Sequence, residues 1–367
     1  MQESYKSFLV INPFGIGDVL FSTPLLRNLK KAYPDSDIFY LCNRRTHILL
    51  ENNPLIARTF IYERDEFEAE KEKSRFAWFR KYTDFVISIR RKHIDVAIDL
   101  SLNSKFGFFC WAAGIRKRIG LDYKKRGRFL TDKFCLKGFD DKHVAAYYLD
   151  VLKLIGLNPE ECGLEVYLNN KSRQWVKNLL AKESIGHDSL VVGIAPCGGQ
   201  AFGDKAWTKR WDINRYAELA RRLIDKFSAK IFIFAGRGEK KEVLQMLSGI
   251  HNRESCYEFT DSSLDKIVAL VDRCNLFIGN DTGPLRFADA LDKPLIGIFG
   301  PVDEKVYGVF PESRRKIIIT EDVDCRPCYR RFKLPECKYN RRCLNDISVE
   351  KVFNAAETLI DKYVNIH

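Results

Sequence analysis

Phe8-Leu9-Val10-Ile11-Asn12-Pro13-Phe14-Gly15-Ile16-Gly17-Asp18-Val19-Leu20 is an apolar run that stops at a Pro/Gly turn and restarts with apolar residues. A strand buried on both faces reads as such an uninterrupted run. A glycine turn that then opens a helix lets backbone approach a ligand, and the helix start favours an anion. The stretch therefore predicts a parallel β-α-β unit with a ligand loop at the strand's carboxyl end. As a dinucleotide fingerprint it is incomplete: Gly15 and Gly17 supply G-x-G, but Leu20 holds the third glycine position. The next strand ends in Cys42-Asn43-Arg44-Arg45, with no acid for a ribose. Asp18 falls at the helix start, where an ordinary N-cap carboxylate is the plain reading. Pro24 predicts a kink just behind the loop.

Outward from this unit the alternation continues, with a strand at Phe8–Asn12, a helix at Asp18–Tyr33, a strand at Asp37–Cys42, a helix at Phe67–Lys92 and a strand at Ile94–Leu100. A helical segment over Lys142–Ile155 ends at Gly156, and Asn158-Pro159 opens a polar stretch to about Ser172, the best linker. The alternation then restarts: strands at Leu190–Ala195, Ile231–Phe234, Leu276–Gly279 and Leu295–Phe299, and helices capped by Asp212 and Ser263. Alternation of this kind predicts α/β architecture, with doubly wound parallel sheets and ligand loops at strand ends. The domains are placed at 1–168 and 172–345, followed by a terminal helix within 348–367. A chain of 367 residues is long enough for two such cores.

Two loops of the second half point to one ligand. Pro196-Cys197-Gly198-Gly199 closes a strand, and Lys209-Arg210-Trp211 precedes a helix; two cations near a helix start suit a diphosphate. Gly279-Asn280-Asp281-Thr282-Gly283-Pro284 is a second strand-to-helix turn, whose amides and hydroxyl at Thr282 and Gly283 can hold phosphate oxygens. Four of the eleven cysteines cluster as Cys325, Cys328, Cys337 and Cys343. The opening C-x-x-C suits a tetrahedral zinc, but no second C-x-x-C follows, so free thiols or a labile disulfide stay open. The pairs Asp35/Asp37 and Asp322/Asp324 read as surface acids.

With 61 Lys and Arg against 49 Asp and Glu, the net charge is +12, which calls for an anionic partner. Nine of the basic residues lie in Arg116–Lys137, a solvated face or a contact for an acidic glycolipid, and no nucleic-acid module surrounds them. Lys71, Lys73, Arg75, Arg80 and Lys81, interleaved with Phe76, Trp78 and Phe79, suit an anionic bilayer surface. The amino terminus runs directly into a strand, which argues against a secretory leader, and the odd cysteine count argues for reduced, cytoplasmic thiols. No Walker loop, nucleophile elbow or H-E-x-x-H helix is present in the sequence.

Taken together, the loops resemble glycosyltransferase family 9, the ADP-heptose:lipopolysaccharide heptosyltransferases. The resemblance rests on Gly17-Asp18-Val19-Leu20 with Pro24, on Lys209-Arg210-Trp211, and on Gly279 to Pro284 running through Ala288, Ala290-Leu291, Pro294 and Phe299-Gly300-Pro301. It implies a GT-B fold: two Rossmann-like domains facing a cleft, the acceptor domain first, the donor-nucleotide domain second, and the last helix packing back on the first. It also implies an inverting, metal-independent transfer of heptose from ADP-heptose to a lipid A-linked inner core, with no cofactor, at the cytoplasmic face of the inner membrane. Asp18 would be the general base and Lys209 the stabiliser of the leaving diphosphate. Gly17, Gly198, Arg210, Glu239 of Gly236-Arg237-Gly238-Glu239, Asp281, Thr282, Gly283 and Arg286 would bind substrate. The chain departs from the family pattern at Arg286, commonly His, and at Asn12, commonly Lys or Arg. A nucleotide-sugar or glycolipid binding protein without turnover is the second reading; an NADP-dependent oxidoreductase, resting on the first glycine loop alone, is the third.

Overall fold

A computed structural model describes residues 4–198 and 200–364. Gly199 and the last three residues of the expected terminal helix lie outside the described residues. The chain divides between Cys162 and Gly163 into two compact units. The first holds β1 (Ser7–Ile11), β2 (Asp37–Cys42), β3 (Arg58–Ile61), β4 (Val96–Asp99), β5 (Lys117–Tyr123) and β6 (Asp132–Leu136), in the order β3-β2-β1-β4-β5-β6. The second holds β7 (Val191–Ala195), β8 (Lys230–Phe234), β9 (Cys256–Phe259), β10 (Leu276–Asn280), β11 (Leu295–Ile298) and β12 (Lys316–Ile319), in the order β12-β11-β10-β7-β8-β9. Every adjacent pair is parallel. Both sheets therefore have the same winding, and each reverses its strand order between its first and fourth strands. In doubly wound sheets that reversal opens the crevice in which ligands bind.

The central strands β1, β7 and β10 are buried throughout, which is why they read as apolar runs. Pro24 does more than kink a helix. One helix ends at Phe21 and a second starts at Thr23, with Pro24 in its first turn, where a missing N–H costs nothing. The helix expected over Phe67–Lys92 is likewise two, Arg64–Lys73 and Arg75–Arg90, divided at Ser74. The Ser74 side chain caps the second by accepting from Ala77 N at 3.3 Å.

The basic run from Arg116 to Lys137 contains β5 and β6, and much of its charge serves the sheet. Arg118 donates to the carbonyls of Phe129 (2.6 Å), Ile115 (2.5 Å) and Arg116 (3.0 Å), while Lys117 pairs with Asp132 at 3.1 Å.

The last helix, Val349–Tyr363, places Val352, Phe353, Ala356, Leu359 and Ile360 in the core of the second unit, against the helix Ile213–Phe227 and strands β10 and β11. Its apolar stripe faces the second sheet, and Arg222–Glu350 (2.6 Å) and Lys226–Glu357 ion pairs fix its outer edge.

Candidate functional site

In the first unit the loop after β1 is held by side-chain amides. Asn43 Nδ2 donates to the carbonyls of Pro13 (3.1 Å) and Phe14 (2.6 Å), and Asn12 Nδ2 donates to the Asp18 carbonyl at 2.9 Å. Asn12 is fully buried. The position that carries a cation in the resembling family is here a neutral strut for the helix that bears Asp18. That helix spans Ile16–Phe21 with Gly15 as N-cap, so Asp18 is its third residue and not its cap. The carboxylate is half-buried at the strand-order reversal, in a first turn whose N–H groups favour negative charge. Gly17, also half-buried, precedes it in the same turn.

Asp99, at the end of the neighbouring β4, escaped sequence reasoning because Ile94–Leu100 reads only as a strand. It is 5% exposed and accepts from Ser101 N at 2.9 Å. Burial pushes its carboxyl up to about 6, against the lowering effect of the Ser101 and Gly107 hydrogen bonds.

In the second unit the loops after β7, β8 and β10 converge. Glu239, 5% exposed, accepts from Gly198 N (2.8 Å), Gly236 N (2.7 Å) and Arg210 Nη2 (2.8 Å). Arg210 also donates to the Gly198 carbonyl at 3.0 Å and to Glu242 at 3.1 Å. The expected ribose acid and its arginine thus tie two strand-end loops together. Gly198 has φ +101°, and a Cβ there would lie 2.3 Å from Thr282 Cγ2, so glycine is needed on both counts.

Asn280 is the hub that sequence reasoning passed over. Fully buried, it accepts from Trp211 N and Tyr216 Oη, both at 3.0 Å, and donates to the Pro196 carbonyl at 2.8 Å. Trp211, anchored in the core and donating through Nε1 to the Ile347 carbonyl at 3.0 Å, fixes the Lys209–Trp211 segment against β10.

Lys209 forms an ion pair with Asp281, whose other oxygen pairs with Arg286. Burial alone would raise the Asp281 carboxyl, but the Lys209 and Arg286 charges overcome it and hold it below the usual carboxylate range. The three side chains carry one net positive charge. Arg286 is 2% exposed, donates to the carbonyls of Tyr307 and Gly308 (the latter at 2.5 Å) and lies 5.6 Å from the Phe299 ring centroid. Arg286 thus braces Asp281 against the carbonyls of Tyr307 and Gly308.

Thr282, 9% exposed, is the N-cap of the helix Gly283–Ala290, and its buried Oγ1 has no hydrogen-bond partner in the protein. A buried hydroxyl without a partner, the free N–H groups of a first helical turn beginning at Gly283, and a net positive triad together form a cradle for an anion. Burial pushes the neighbouring Cys197 thiol up to about 12, which favours its protonated form.

A family model described as glycosyltransferase family 9 (heptosyltransferase) matches residues 83–338. The chain is 25% identical over 304 residues to lipopolysaccharide heptosyltransferase 2 of Salmonella typhimurium, covering 80% of this chain and 82% of that protein. Among solved structures, a family 9 glycosyltransferase from Veillonella parvula superposes with TM-score 0.82 at 23% identity, over 99% of both chains. The E. coli ADP-heptose lps heptosyltransferase II superposes with TM-score 0.75 at 22% identity, over 97% of this chain and 99% of that one.

Proposed function

The chain belongs to glycosyltransferase family 9, and we propose that it transfers heptose from ADP-heptose to an anionic, lipid A-linked inner-core acceptor with inversion and without a metal in the transfer step. The observation that carries this reading is the cradle of the second unit: the Lys209–Asp281–Arg286 triad beside the unpartnered Thr282 hydroxyl and the Gly283 helix start. A nucleoside diphosphate is the ligand whose charge and oxygens match it.

In the proposed reaction Asp18 takes the proton of the acceptor hydroxyl as that oxygen attacks the anomeric carbon; the bond to the diphosphate breaks on the opposite face and ADP leaves. Lys209 turns from Asp281 to the diphosphate oxygens, and the Thr282 hydroxyl and Gly283 amide hold them, charge placed in advance where it develops. Asp281 and Arg286 position Lys209 and the loop. Glu239, whose two oxygens already accept from Gly198, Gly236 and Arg210, orders the ribose side of the pocket.

Peripheral contact with the cytoplasmic face of an anionic membrane belongs to the same reading. Phe76 and Phe79 are 77% and 60% exposed on the helix Arg75–Arg90, among basic residues. No helix among the described residues is long and apolar enough to cross a membrane.

Release of ADP from ADP-heptose on addition of acceptor tests the reaction. Asp18→Asn is expected to lower turnover by about 10²–10⁴, the usual worth of a general base, with ADP affinity unchanged. Lys209→Ala is expected to weaken ADP binding about tenfold or more by calorimetry, since charge-assisted hydrogen bonds contribute roughly 1.5–3 kcal/mol. Full turnover in the Asp18 variant removes the base assignment. ADP binding with no release in the wild type favours a binding protein instead.

A further inference from the structure

From Thr320 to Arg341 the chain has neither helix nor strand beyond one isolated bridge, Arg330–Lys333. Between Ile319 and Cys343 it buries no hydrophobic side chain. A structureless loop of this length inside a compact unit calls for something other than an apolar core to order it. The loop's one shared feature is sulfur: Cys325, Cys328, Cys337 and Cys343 line a single pocket together with Arg326, Arg341 and Arg342. None of the four is in a disulfide.

We propose that these four cysteines form a tetrathiolate site for one divalent metal ion of the zinc or iron(II) class, which staples the loop. On binding, each thiol gives its proton to solvent, four metal–sulfur bonds replace metal–water bonds, and no electron is transferred.

Two observations beyond the spacing support the site. Arg341 Nε is buried with no acceptor, and its backbone N–H donates to Cys337 Sγ at 3.3 Å; both N–H groups suit thiolate sulfur, as outer-shell donors to metal ligands do. The three arginines lining the pocket offset the two net negative charges of a divalent tetrathiolate. Among the described residues no three candidate ligands already stand in ligating geometry. Closing the four sulfurs round one ion takes side-chain rotation, and a 120° turn about a Cα–Cβ bond carries a sulfur by roughly 3 Å.

The staple also reaches the nucleotide cradle. Arg341 Nη1 donates to the carbonyls of Trp207 (3.1 Å) and Arg210 (3.0 Å), and Lys205 Nζ donates to that of Leu334 (3.1 Å), so the loop braces the segment that carries Lys209.

The test is metal analysis of the full chain purified under reducing conditions from medium supplemented with zinc or with iron(II). One metal per chain is expected, and which metal fills the site distinguishes the two sources. Cys325→Ser with Cys328→Ser is expected to abolish it, and Cys135→Ser, an exposed cysteine of the first unit, to leave it intact. Should the double variant fail to fold, chelator-stripped wild type titrated with cobalt(II) replaces it; intense visible cobalt–thiolate bands at one equivalent are expected. A reduced chain that is purified metal-free and takes up no cobalt, or a double variant that keeps its metal, overturns the proposal. Metal content is read without any sugar transfer, so this result stands apart from the reaction assigned above.

Discussion

Asp99 shows how one buried carboxyl couples stability to pH. In the unfolded chain it releases its proton near the ordinary 3.8, in the native state near about 6. Between those values the native state holds the extra proton, so stability falls as pH rises. Above about 6 the full cost is in force, roughly 3 kcal/mol at about 1.4 kcal/mol per pH unit. Asp99→Asn keeps an oxygen to accept from Ser101 N and carries no charge. Thermal unfolding of the variant is expected to gain on wild type at pH 7 and to match it at pH 4; parallel curves would remove the assignment. Such residues are hard to see in sequence because their role depends on burial. The places of Asp18 and Asp281 in strand-to-helix turns were legible, since apolar strands and glycine turns frame both. The hub role of Asn280 was not, because its partners Tyr216 and Pro196 come from distant parts of the chain. The internal partners of Arg286 were hidden for the same reason: Tyr307 and Gly308, which accept from it, are invisible as partners until the chain folds.

At the scale of elements, the inner strands were legible and several outer ones were not. β1, β7 and β10 are covered on both faces and read as apolar runs. β3 (Arg-Thr-Phe-Ile), β5 (Lys-Arg-Ile-Gly-Leu-Asp-Tyr) and β6 (Asp-Lys-Phe-Cys-Leu) carry charge on their half-exposed positions, so period and composition hide them. The terminal helix was legible as a helix, but its amphipathic stripe does not say which sheet it meets. Leu359 is 1% exposed in the core of the second unit. Leu359→Ala is expected to destabilise that unit by about 2–5 kcal/mol, the usual range for a buried leucine. Urea unfolding of the second unit alone, Gly163 to the end of the chain, checks this. No change there would mean that the helix stabilises something else.

For the whole molecule, both halves repeat one strand order around separate cores, and the cradle proposed for the diphosphate draws every one of its residues from the second. The fragment from Gly163 to the end is therefore expected to fold alone and bind ADP within a few-fold of the full chain by calorimetry, while showing no transfer. Loss of ADP binding in a folded fragment would require a contribution from the first unit. The +12 charge is likewise a sum of unlike parts: Arg118 and Lys117 serve the first sheet, Arg210 and Arg286 brace loops, and Lys209 faces Asp281 in the cradle. By itself the sequence determined the α/β class, the two windings, the family and the turns that carry the site, because burial on both faces of a parallel sheet and glycine turns at strand ends impose local patterns. Which cations brace loops and which pair with Asp281, which strands of the second unit the last helix packs on, and that four cysteines share one pocket were decided only by tertiary structure, because each depends on partners far apart in the chain.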